Sequence, residues 1–396
     1  MKVRKSIWIA TVALAAASGL AAAQTVKIGV ITTYSGPTAS QGDQLDKGYK
    51  LYLKLHADKL PPGVKVEPIF RDDTGANPDA AKRLAQELIV RDKVQFLTGV
   101  VWTPNAAAIA PLTAEAKVPF VIANAAGVSI PRISPYVARV SFTLWQSAYP
   151  LGQWAAKKYK RVYTVVSDFA PGHEAEEAFT KAFKEAGGQI VGSARVPLAN
   201  TDFIPYMQRV KDAKPDVIFA FNPAGKQATA QMKAYADLGL AKAGIKYIGT
   251  GDITTDEELQ NMGDAALGVM TVHHYSAAAD RPANKALVAA YKKEYGAKLN
   301  PGFMVVGAWD AMDAIFYAIR EQKGKIDPDK TMELLKHYKA NSPRGPIAID
   351  PETRDIVQNE YLREVRKVGG QLENVELETV ATQYKDPWKA FNPPKK

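Results

Sequence analysis

The fold is decided by the stretch Val26-Lys-Ile-Gly-Val-Ile-Thr32, which leads into the turn Tyr34-Ser35-Gly36-Pro37. Four branched apolar residues within seven positions predict a buried strand, and the turn residues stop it. A helix over 41–60 follows, ended by Pro61-Pro62-Gly63, and residues 64–70 alternate as a second strand. A strand, a helix and a second strand together form the building block of a parallel sheet.

The same alternation continues along the chain. Further strands are predicted over 96–101, 119–123, 162–167, 189–196, 217–221, 247–249, 269–272 and 361–367. Further helices are predicted from Asn77-Pro78 onward and over 103–116, 144–158, 173–186, 203–212, 226–238, 282–295 and 304–322. Regular alternation favours parallel sheets with helices on both faces, and a chain of 396 residues exceeds one hydrophobic core. We therefore predict an α/β fold with two doubly wound, Rossmann-like lobes.

The N-terminus carries the pattern of a secretory signal peptide. Lys2, Arg4 and Lys5 precede an uncharged, mostly apolar run over 7–20, and Ala21-Ala22-Ala23 provides small residues for cleavage. The apolar run is short for a membrane span, which needs about 20 residues. We expect residues 1–23 to be removed and the mature protein to be exported, soluble and unanchored. Export excludes most enzyme classes that depend on ATP or NAD.

Composition and charge exclude several further classes. The chain has no cysteine, so disulfides, thiol nucleophiles and zinc–cysteine sites are excluded. Its formal charge is +10, but Lys and Arg are scattered among acids, with no basic stripe interleaved with aromatics. We predict no nucleic-acid partner. The composition is that of a globular protein, with 46% apolar residues.

Enzymatic and metal-binding patterns are weak in this sequence. No Gly-x-Ser-x-Gly elbow is present, and no nucleophile with a base is visible. His273-His274 could suggest a metal, but adjacent residues on a strand point to opposite faces. Asp72-Asp73 is interpreted as a turn and capping element rather than a carboxylate pair. We predict neither catalysis, nor a metal, nor a cofactor.

Several motifs together resemble the type I periplasmic binding proteins, in the branch related to leucine/isoleucine/valine-binding proteins. They occur in the expected order and spacing over essentially the whole chain after residue 23. The motifs are Ile28-Gly29-Val30, Ser35-Gly36-Pro37, Gly42, Gly48, Arg71-Asp72-Asp73-Thr74, Asn77-Pro78, Val118-Pro119-Phe120-Val121, Ala186-Gly187-Gly188, Lys214-Pro215-Asp216-Val217 and Leu238-Gly239-Leu240.

The resemblance implies a periplasmic solute receptor for an ATP-binding cassette importer. Two lobes would close on a small carboxylate, either a branched-chain or other hydrophobic amino acid or an aromatic acid, and the closed form would dock on a membrane permease. We expect a monomer. A ligand sensor of the same fold that signals to a membrane partner stays open as an alternative, and a secreted α/β hydrolase is the less favoured one.

The resemblance also implies a three-segment hinge. Extended crossings between the lobes are expected near 136–141, 269–273 and 349–353. Lobe 1 would comprise 24–140 and 272–350, and lobe 2 would comprise 141–271 and 351–385. Residues 386–396 would form a flexible tail.

In the first lobe, the candidate site lies in the turns that follow the strands. Thr103 matches the residue whose hydroxyl binds the ligand carboxylate in the family, although it could also cap a helix. Trp102 could form an aromatic wall or pack on the other lobe. Asn124, Ala125 and Ala126 stand where the family uses backbone groups. Tyr34 stands where the family places an aromatic side chain beside the ligand, or covers the core of lobe 1.

In the second lobe, the corresponding turns carry three candidates. Phe169 would provide the aromatic contact, because Pro171 replaces the Tyr-Gly often found there in amino-acid binders. Phe221 precedes the next turn. Asp252 falls within one residue of the acid that pairs with the ligand's ammonium in amino-acid receptors. Together with Tyr34 and Trp102, these aromatic residues favour a ligand that is bulkier or more aromatic than leucine.

Overall fold

The computed structural model describes residues 24–36 and 38–393. The predicted signal peptide, residues 1–23, and positions 394–396 of the predicted tail lie outside the described residues. Within the described part, none of the helices combines the length and apolar character needed to cross a membrane.

The first lobe contains a five-stranded parallel sheet in the order β2-β1-β3-β4-β5. Its strands are Gln24–Thr32 (β1), Val64–Asp72 (β2), Phe96–Gly99 (β3), Phe120–Ile122 (β4) and Val137–Arg139 (β5). The helices between them are Ala39–His56 (α1), Pro78–Val90 (α2), Thr103–Ala116 (α3) and Ile130–Ile133 (α4). The strand predicted from 26–32 is fully buried at Val26, Ile28 and Val30.

The second lobe contains the larger sheet. Its parallel strands are Arg161–Ser167 (β6), Gln189–Val196 (β7), Val217–Phe221 (β8), Lys246–Thr250 (β9) and Met270–His273 (β10). They follow the order β10-β9-β8-β6-β7. Its helices are Leu144–Ala156 (α5), Ala170–Glu185 (α6), Ile204–Ala213 (α7), Lys226–Asp237 (α8) and Asp256–Met262 (α9). The predicted class, α/β with two doubly wound lobes, is therefore confirmed.

The chain then returns to the first lobe through Pro282–Tyr295 (α10), Phe303–Glu321 (α11) and Pro328–Lys336 (α12). Helix α11 packs closely on the first sheet and on α1. A Cβ added at Gly307 would lie 2.3 Å from the carbonyl oxygen of Ala123, and one at Gly48 would lie 2.5 Å from that of Val305. The absence of side chains at these two positions thus allows the contact.

Antiparallel strands complete the second sheet. They are Lys339–Ser342 (β11), Gly345–Ile349 (β12), Ile356–Val368 (β13) and Gln371–Tyr384 (β14), and β13 pairs with β10, β12 and β14. Strand β13 was predicted only in part from the sequence, and β5, β11, β14, α4, α9 and α12 were not predicted. Short 3₁₀ turns span Ala57–Lys59, Gly251–Thr254 and Gly263–Ala266.

Local rules account for the helix starts. Asn77 accepts a hydrogen bond from the amide of Ala80 at 3.1 Å, and Pro78 occupies the first helical turn. Thr143 and Gln146 form a capping box at the start of α5. Helix α6 begins at Ala170, three residues earlier than predicted, because Pro171 is compatible with a first turn whose amides need no partner inside the helix.

In the order of the sheets, the chain leaves the first sheet after β5, leaves the second sheet after β10 and re-enters the second sheet at β11. A buried arginine, Arg344, lies beside the first of these passages. Its guanidinium lies 2.7 Å from the carboxylate of Asp310 on α11 and donates to the carbonyl oxygen of Ser141 at 2.8 Å. It also donates to the carbonyl of Val140 and to Oε1 of Gln358. One cation therefore fixes the first passage against elements of both lobes.

A second arginine ties the first passage to the segment between β12 and β13. The Nε atom of Arg139 donates to Oδ1 of Asp355 at 2.7 Å, and its Nη1 donates to the carbonyl oxygens of Ala125 and Gly127 at 3.0 and 2.7 Å. The main chain adds a bond from the amide of Arg139 to the carbonyl of Arg354. The hinge is thus cross-linked by buried charged hydrogen bonds, which are stronger than neutral ones.

The C-terminal segment also packs against this region. The short helix Trp388–Phe391 (α13) places Trp388 under the guanidinium of Arg132, 4.4 Å from the ring centroid. Phe391 lies 5.6 Å from the ring of Trp145. Its contacts therefore involve α4 of the first lobe and α5 of the second.

Replacing Arg344 with methionine tests the hinge network. We expect Arg344→Met to lower the free energy of unfolding by about 3–5 kcal/mol, because the Asp310 carboxylate would stay buried without its partner. Burial already raises the pKa of Asp310 to about 6. Urea denaturation at pH 7 measures the loss.

The matched variants are Arg344→Met/Asp310→Leu, which should recover most of the stability, and Arg83→Met, at an exposed surface pair with Glu87. The surface change should stay within about 0.5 kcal/mol. A loss below about 1 kcal/mol for Arg344→Met would contradict the assigned role.

Candidate ligand-binding site

The cleft lies where the topology of each sheet reverses. In the first sheet β1 has β2 on one side and β3 on the other, and in the second sheet β6 lies between β7 and β8. The loops that leave the carboxyl ends of such strands turn to opposite faces and open a crevice. The loops after β3 and β4 of the first lobe therefore face those after β6, β8 and β9 of the second.

A cavity lies between these loops, and we call it the inner chamber. It contains about 390 Å³ of empty space, part of which is open to solvent. It is lined by Gln41, Val101, Trp102, Thr103, Asn124, Ala126, Phe142, Leu144, Phe169, Pro171, Phe221, Pro223, Ala224 and Asp252. Of the nine residues predicted from the sequence, seven line this chamber: Trp102, Thr103, Asn124, Ala126, Phe169, Phe221 and Asp252.

Thr103 lies at the start of α3, where the first amides of the helix have no partner within it. Its Oγ1 accepts a hydrogen bond from the amide of Gly127 at 3.1 Å. The hydroxyl proton of Thr103 can therefore be donated to another acceptor. Free amides, a hydroxyl donor and the positive end of the helix dipole suit an anionic group.

Asn124 and Ala126 come from the loop after β4. The side-chain amide of Asn124 donates to the carbonyl of Val101 at 2.8 Å, and the carbonyl of Asn124 accepts from the hydroxyl of Ser141 at 3.0 Å. These bonds join the loops after β3 and β4 to the first passage between the lobes. The small side chain of Ala126 leaves the backbone close to the chamber.

Aromatic rings from both lobes form the walls. Trp102 and Phe169 meet edge to face across the cleft, with ring centroids 6.4 Å apart. Phe169 also stacks on Phe221 at 6.0 Å. Phe142, from the first passage between the lobes, packs against Phe303 at 5.8 Å. Such pairs bury large apolar area with defined geometry.

Asp252 is the single acidic side chain among the described residues that line the chamber. Its Oδ2 accepts a hydrogen bond from the hydroxyl of Thr250 at 2.9 Å. Burial raises the pKa of Asp252 to about 6, although the Thr250 hydrogen bond and the charge of Arg363 oppose this shift. At neutral pH the carboxylate is available to accept a hydrogen bond or to pair with a cation.

The structure does not bring the other two predicted residues, Tyr34 and Ala125, to the chamber. The hydroxyl of Tyr34 donates to Asp46 at 2.8 Å, and its amide donates to Asp72 at 2.9 Å, so the ring lies over α1. Ala125 is fully buried in the core of the first lobe. Its carbonyl is held by Arg139.

Half of the residues that line the inner chamber were not predicted from the sequence. The missed residues are Gln41, Val101, Phe142, Leu144, Pro171, Pro223 and Ala224. Four of these lie within three positions of a predicted residue, so extending each predicted turn would have found Val101, Pro171, Pro223 and Ala224. Gln41 lies within α1 and Phe142 within a passage between the lobes, and no local pattern marks either one.

The lobes touch each other around the chamber. The side chain of Gln41 on α1 donates to the carbonyl of Ala224 in the second lobe at 2.7 Å. On another side, the amide of Val128 donates to Oε2 of Glu174 on α6 at 3.2 Å. These bonds and the contact between Trp102 and Phe169 describe a closed cleft.

No group of three or more metal-ligating side chains is present among the described residues. His273 and His274 do not point to opposite faces as expected, since their rings lie 4.1 Å apart. The reason is that β10 ends at His273, so His274 no longer follows the strand alternation. Burial holds the pKa of both imidazoles well below the usual range, and both pack on Phe142.

This architecture defines a two-lobed receptor that encloses a small solute. The chain belongs to the periplasmic binding protein family, whose model matches residues 25–371. Members of this family are periplasmic solute receptors rather than enzymes. Its resemblance to this family, predicted from the sequence motifs, is therefore confirmed.

Close relatives are available for comparison. Leu/Ile/Val-binding protein homolog 6 of Brucella melitensis is 44% identical over 369 residues, which cover 93% of this chain and 94% of the relative. A solute-binding protein of an ABC transporter from Rhodopseudomonas palustris BisB5, solved with 3,4-dihydroxybenzoic acid, is 51% identical with a TM-score of 0.89, over 92% of this chain and 99% of that one. Another from R. palustris, solved with 4-hydroxybenzoate, is 45% identical with a TM-score of 0.88, over 91% and 98% of the two chains.

Substitution of Gly127 tests how Thr103 is positioned. A Cβ added at Gly127 would lie 2.5 Å from Cγ2 of Thr103, so Gly127→Ala must displace that side chain or the loop. We expect a loss of about 1–3 kcal/mol in the free energy of unfolding, measured with urea. The double variant Thr103→Ser/Gly127→Ala removes the clashing methyl group and should restore most of that loss. Equal losses in the single and double variants would contradict this packing.

Proposed function

We propose that this protein captures an aromatic carboxylate of the hydroxybenzoate type in the inner chamber and delivers it to the membrane permease of an ABC importer. The observation that carries the proposal is the convergence of four aromatic rings, Trp102, Phe142, Phe169 and Phe221, on a chamber that also contains the hydroxyl of Thr103. Predominantly apolar walls with a few placed polar groups are typical of small-molecule sites.

In this proposal the ligand carboxylate is held at the start of α3. Thr103 provides its hydroxyl proton, and the first amides of the helix provide further donors. No lysine or arginine is among the described residues that line the chamber. Neutral donors and the helix dipole would therefore balance the ligand charge, as they do for anions at other helix starts.

The aromatic ring of the ligand would lie among the four protein rings. A ring hydroxyl would donate to Asp252, whose carboxylate has one hydrogen bond from Thr250 and further lone pairs available. The two R. palustris relatives, solved with dihydroxybenzoate and hydroxybenzoate, support this ligand class. Both are at least 45% identical to this chain over nine-tenths of its length.

A branched-chain amino acid is the second candidate, and Asp252 is the observation that favours it. An ammonium group could pair with this carboxylate in place of a ring hydroxyl. The relative from B. melitensis is named as a homologue of Leu/Ile/Val-binding proteins. The aromatic walls favour the first candidate, because a leucine side chain would leave part of their surface without a partner.

The mode of action that we propose is hinge closure by a monomer in the periplasm. Ligand contacts with both lobes would favour the closed form over an open one. The exact lobe boundaries given above, the cleavage of residues 1–23 and the docking of the closed form on a permease are parts of this proposal.

A ligand panel tests the proposal. Thermal unfolding of the mature protein should shift upward with 4-hydroxybenzoate, 3,4-dihydroxybenzoate and benzoate, and not with leucine or valine. A ligand at one hundred times its dissociation constant adds about 2.7 kcal/mol, which corresponds to a few degrees. If only the amino acids shift the unfolding temperature, the aromatic ligand is wrong and the second candidate, a branched-chain amino acid, is favoured. No shift with any compound would overturn the proposed ligand classes.

Closure should also depend on pH, because it buries carboxylates of the second lobe against the first. Both carboxylate oxygens of Glu257 are buried, and a Cβ added at Gly302 of the first lobe would lie 2.7 Å from one of them. Burial, with additional repulsion from Asp256 and Glu258, raises the pKa of Glu257 to about 8. Burial likewise raises the pKa of Glu174 to about 7.

The direction of the pH dependence follows from the difference in bound protons between the closed and open forms. These groups have ordinary pKa values near 4.5, so the closed form binds more protons than a form that exposes them. The closed form is therefore favoured at low pH, and this advantage is lost as the pH rises through about 8. We expect the dissociation constant of 4-hydroxybenzoate to increase between pH 6 and 8, by at most about tenfold per unit for each proton.

Titration calorimetry at pH 6, 7 and 8 measures this slope, and buffers of different ionisation enthalpy measure proton uptake directly. Glu257→Gln should flatten the slope, whereas Glu378→Gln, at an exposed position on β14, should leave it unchanged. A wild-type affinity that is constant with pH, without proton uptake, would rule out this coupling.

A further inference from the structure

A second cavity, which we call the outer chamber, lies next to the inner chamber in the cleft. It contains about 880 Å³ of empty space, part of which is open to solvent. Loops of the first lobe contribute Thr38, Thr74, Gly75, Ala76 and Trp102. The second lobe contributes loop residues, Leu198, Ala199, Thr201, Pro223 and Ala224, and the start of α8, Lys226 and Gln227.

Three residues line both chambers: Trp102, Pro223 and Ala224. Pro223 and Ala224 have small side chains, and the carbonyl of Ala224 is fixed by the hydrogen bond from Gln41. The indole of Trp102 is therefore the one large side chain that separates the chambers.

The indole is held by contact rather than by hydrogen bonds. Its edge-to-face partner is Phe169, and its Nε1 is buried without a hydrogen-bond partner in the part of the chain that the structure describes. Trp102 also precedes α3 in extended conformation, directly before Thr103. The residue that separates the chambers is thus adjacent to the residue that we expect to hold the ligand carboxylate.

The outer chamber has a composition suited to an apolar group. Its walls include Gly75, Ala76, Leu198 and Ala199, with threonine hydroxyls between them, and Lys226 is the one charged side chain among the described lining residues. A hydrocarbon extension of a ligand could contact these apolar side chains.

We propose that Trp102 is the residue that determines ligand size in this cleft. Its indole closes the inner chamber on the side of the outer chamber and restricts the site to aromatic acids with a single ring. Without the indole, the two chambers join and accept aromatic acids that carry a second ring, with the added ring in the outer chamber. This inference rests on the proposed function, since it takes the carboxylate to be held at Thr103.

Calorimetric titration with one-ring and two-ring acids tests the inference. The probes are 4-hydroxybenzoate and the two biphenyl acids 3-phenylbenzoate and 4-phenylbenzoate. The wild-type protein should bind 4-hydroxybenzoate at least 100-fold more tightly than either biphenyl acid. In Trp102→Ala the affinity for one of the two biphenyl acids should rise at least tenfold, which lowers the preference for 4-hydroxybenzoate, and the direction of the extension decides which isomer fits.

A second substitution fills the outer chamber. Ala199 is exposed and lines the outer chamber but not the inner one. Ala199→Trp therefore places a large side chain in the outer chamber and leaves the inner chamber unchanged. The double variant Trp102→Ala/Ala199→Trp should lose the gain for the biphenyl acid. Trp102→Leu, which keeps an apolar side chain of intermediate size, provides a second opening if the alanine variant does not fold.

The outcomes separate this inference from the proposed function. If the wild-type protein binds 4-hydroxybenzoate and folded Trp102 variants keep its preference, the inference is wrong and the proposed function stands. Wild-type binding of a biphenyl acid as tight as that of 4-hydroxybenzoate would also overturn the inference. If the wild-type protein binds no aromatic acid, the proposed function falls, and the inference falls with it.

Discussion

The buried guanidinium of Arg344 is the constraint on which the rest of the structure depends. It joins carbonyl oxygens of the first passage between the lobes to a carboxylate of α11 and to β13 of the second sheet. Because separating these buried charged groups would be costly, the segments that they join stay close to each other. Arg139 and Asp355 form a second buried charged pair, at the start of the same passage. The two sheets therefore face each other through the ends from which their loops emerge.

The chemistry of the cleft follows from that arrangement. Helix α3 starts at the cleft because β3 ends there, so free amides and the hydroxyl of Thr103 meet on one side. The second lobe contributes Phe169, Phe221 and Asp252, each at or just beyond the end of a strand. The result is a chamber with a helix start at one end, aromatic walls and one acid.

Much of the fold could be predicted from the sequence because its signals are local. Asn77-Pro78 marks a helix start, and the apolar run over 26–32 marks a buried strand, whatever surrounds them. Strand β14 escaped prediction because most of it is only partly buried and it carries little apolar alternation. Helix α12 was missed although Asp327 caps it, since its nine residues give a short periodic pattern. Tyr34 was placed in the site by analogy, whereas its hydroxyl binds Asp46 on α1.

The sequence by itself determined the class of fold, the family and the turns from which most of the site is built, because strand ends and helix starts are encoded by neighbouring residues. Only the tertiary structure decided which of those turns meet. Gln41 and Phe142 line the chamber through contacts between segments far apart in the chain, and Ala125 is excluded from it by its packing in the core. The position of Trp102 between two chambers is likewise visible only in the tertiary structure, because both lobes are needed to enclose the space on each side of the indole. Distances between remote segments are set by the hinge and the cores, and no local pattern records them.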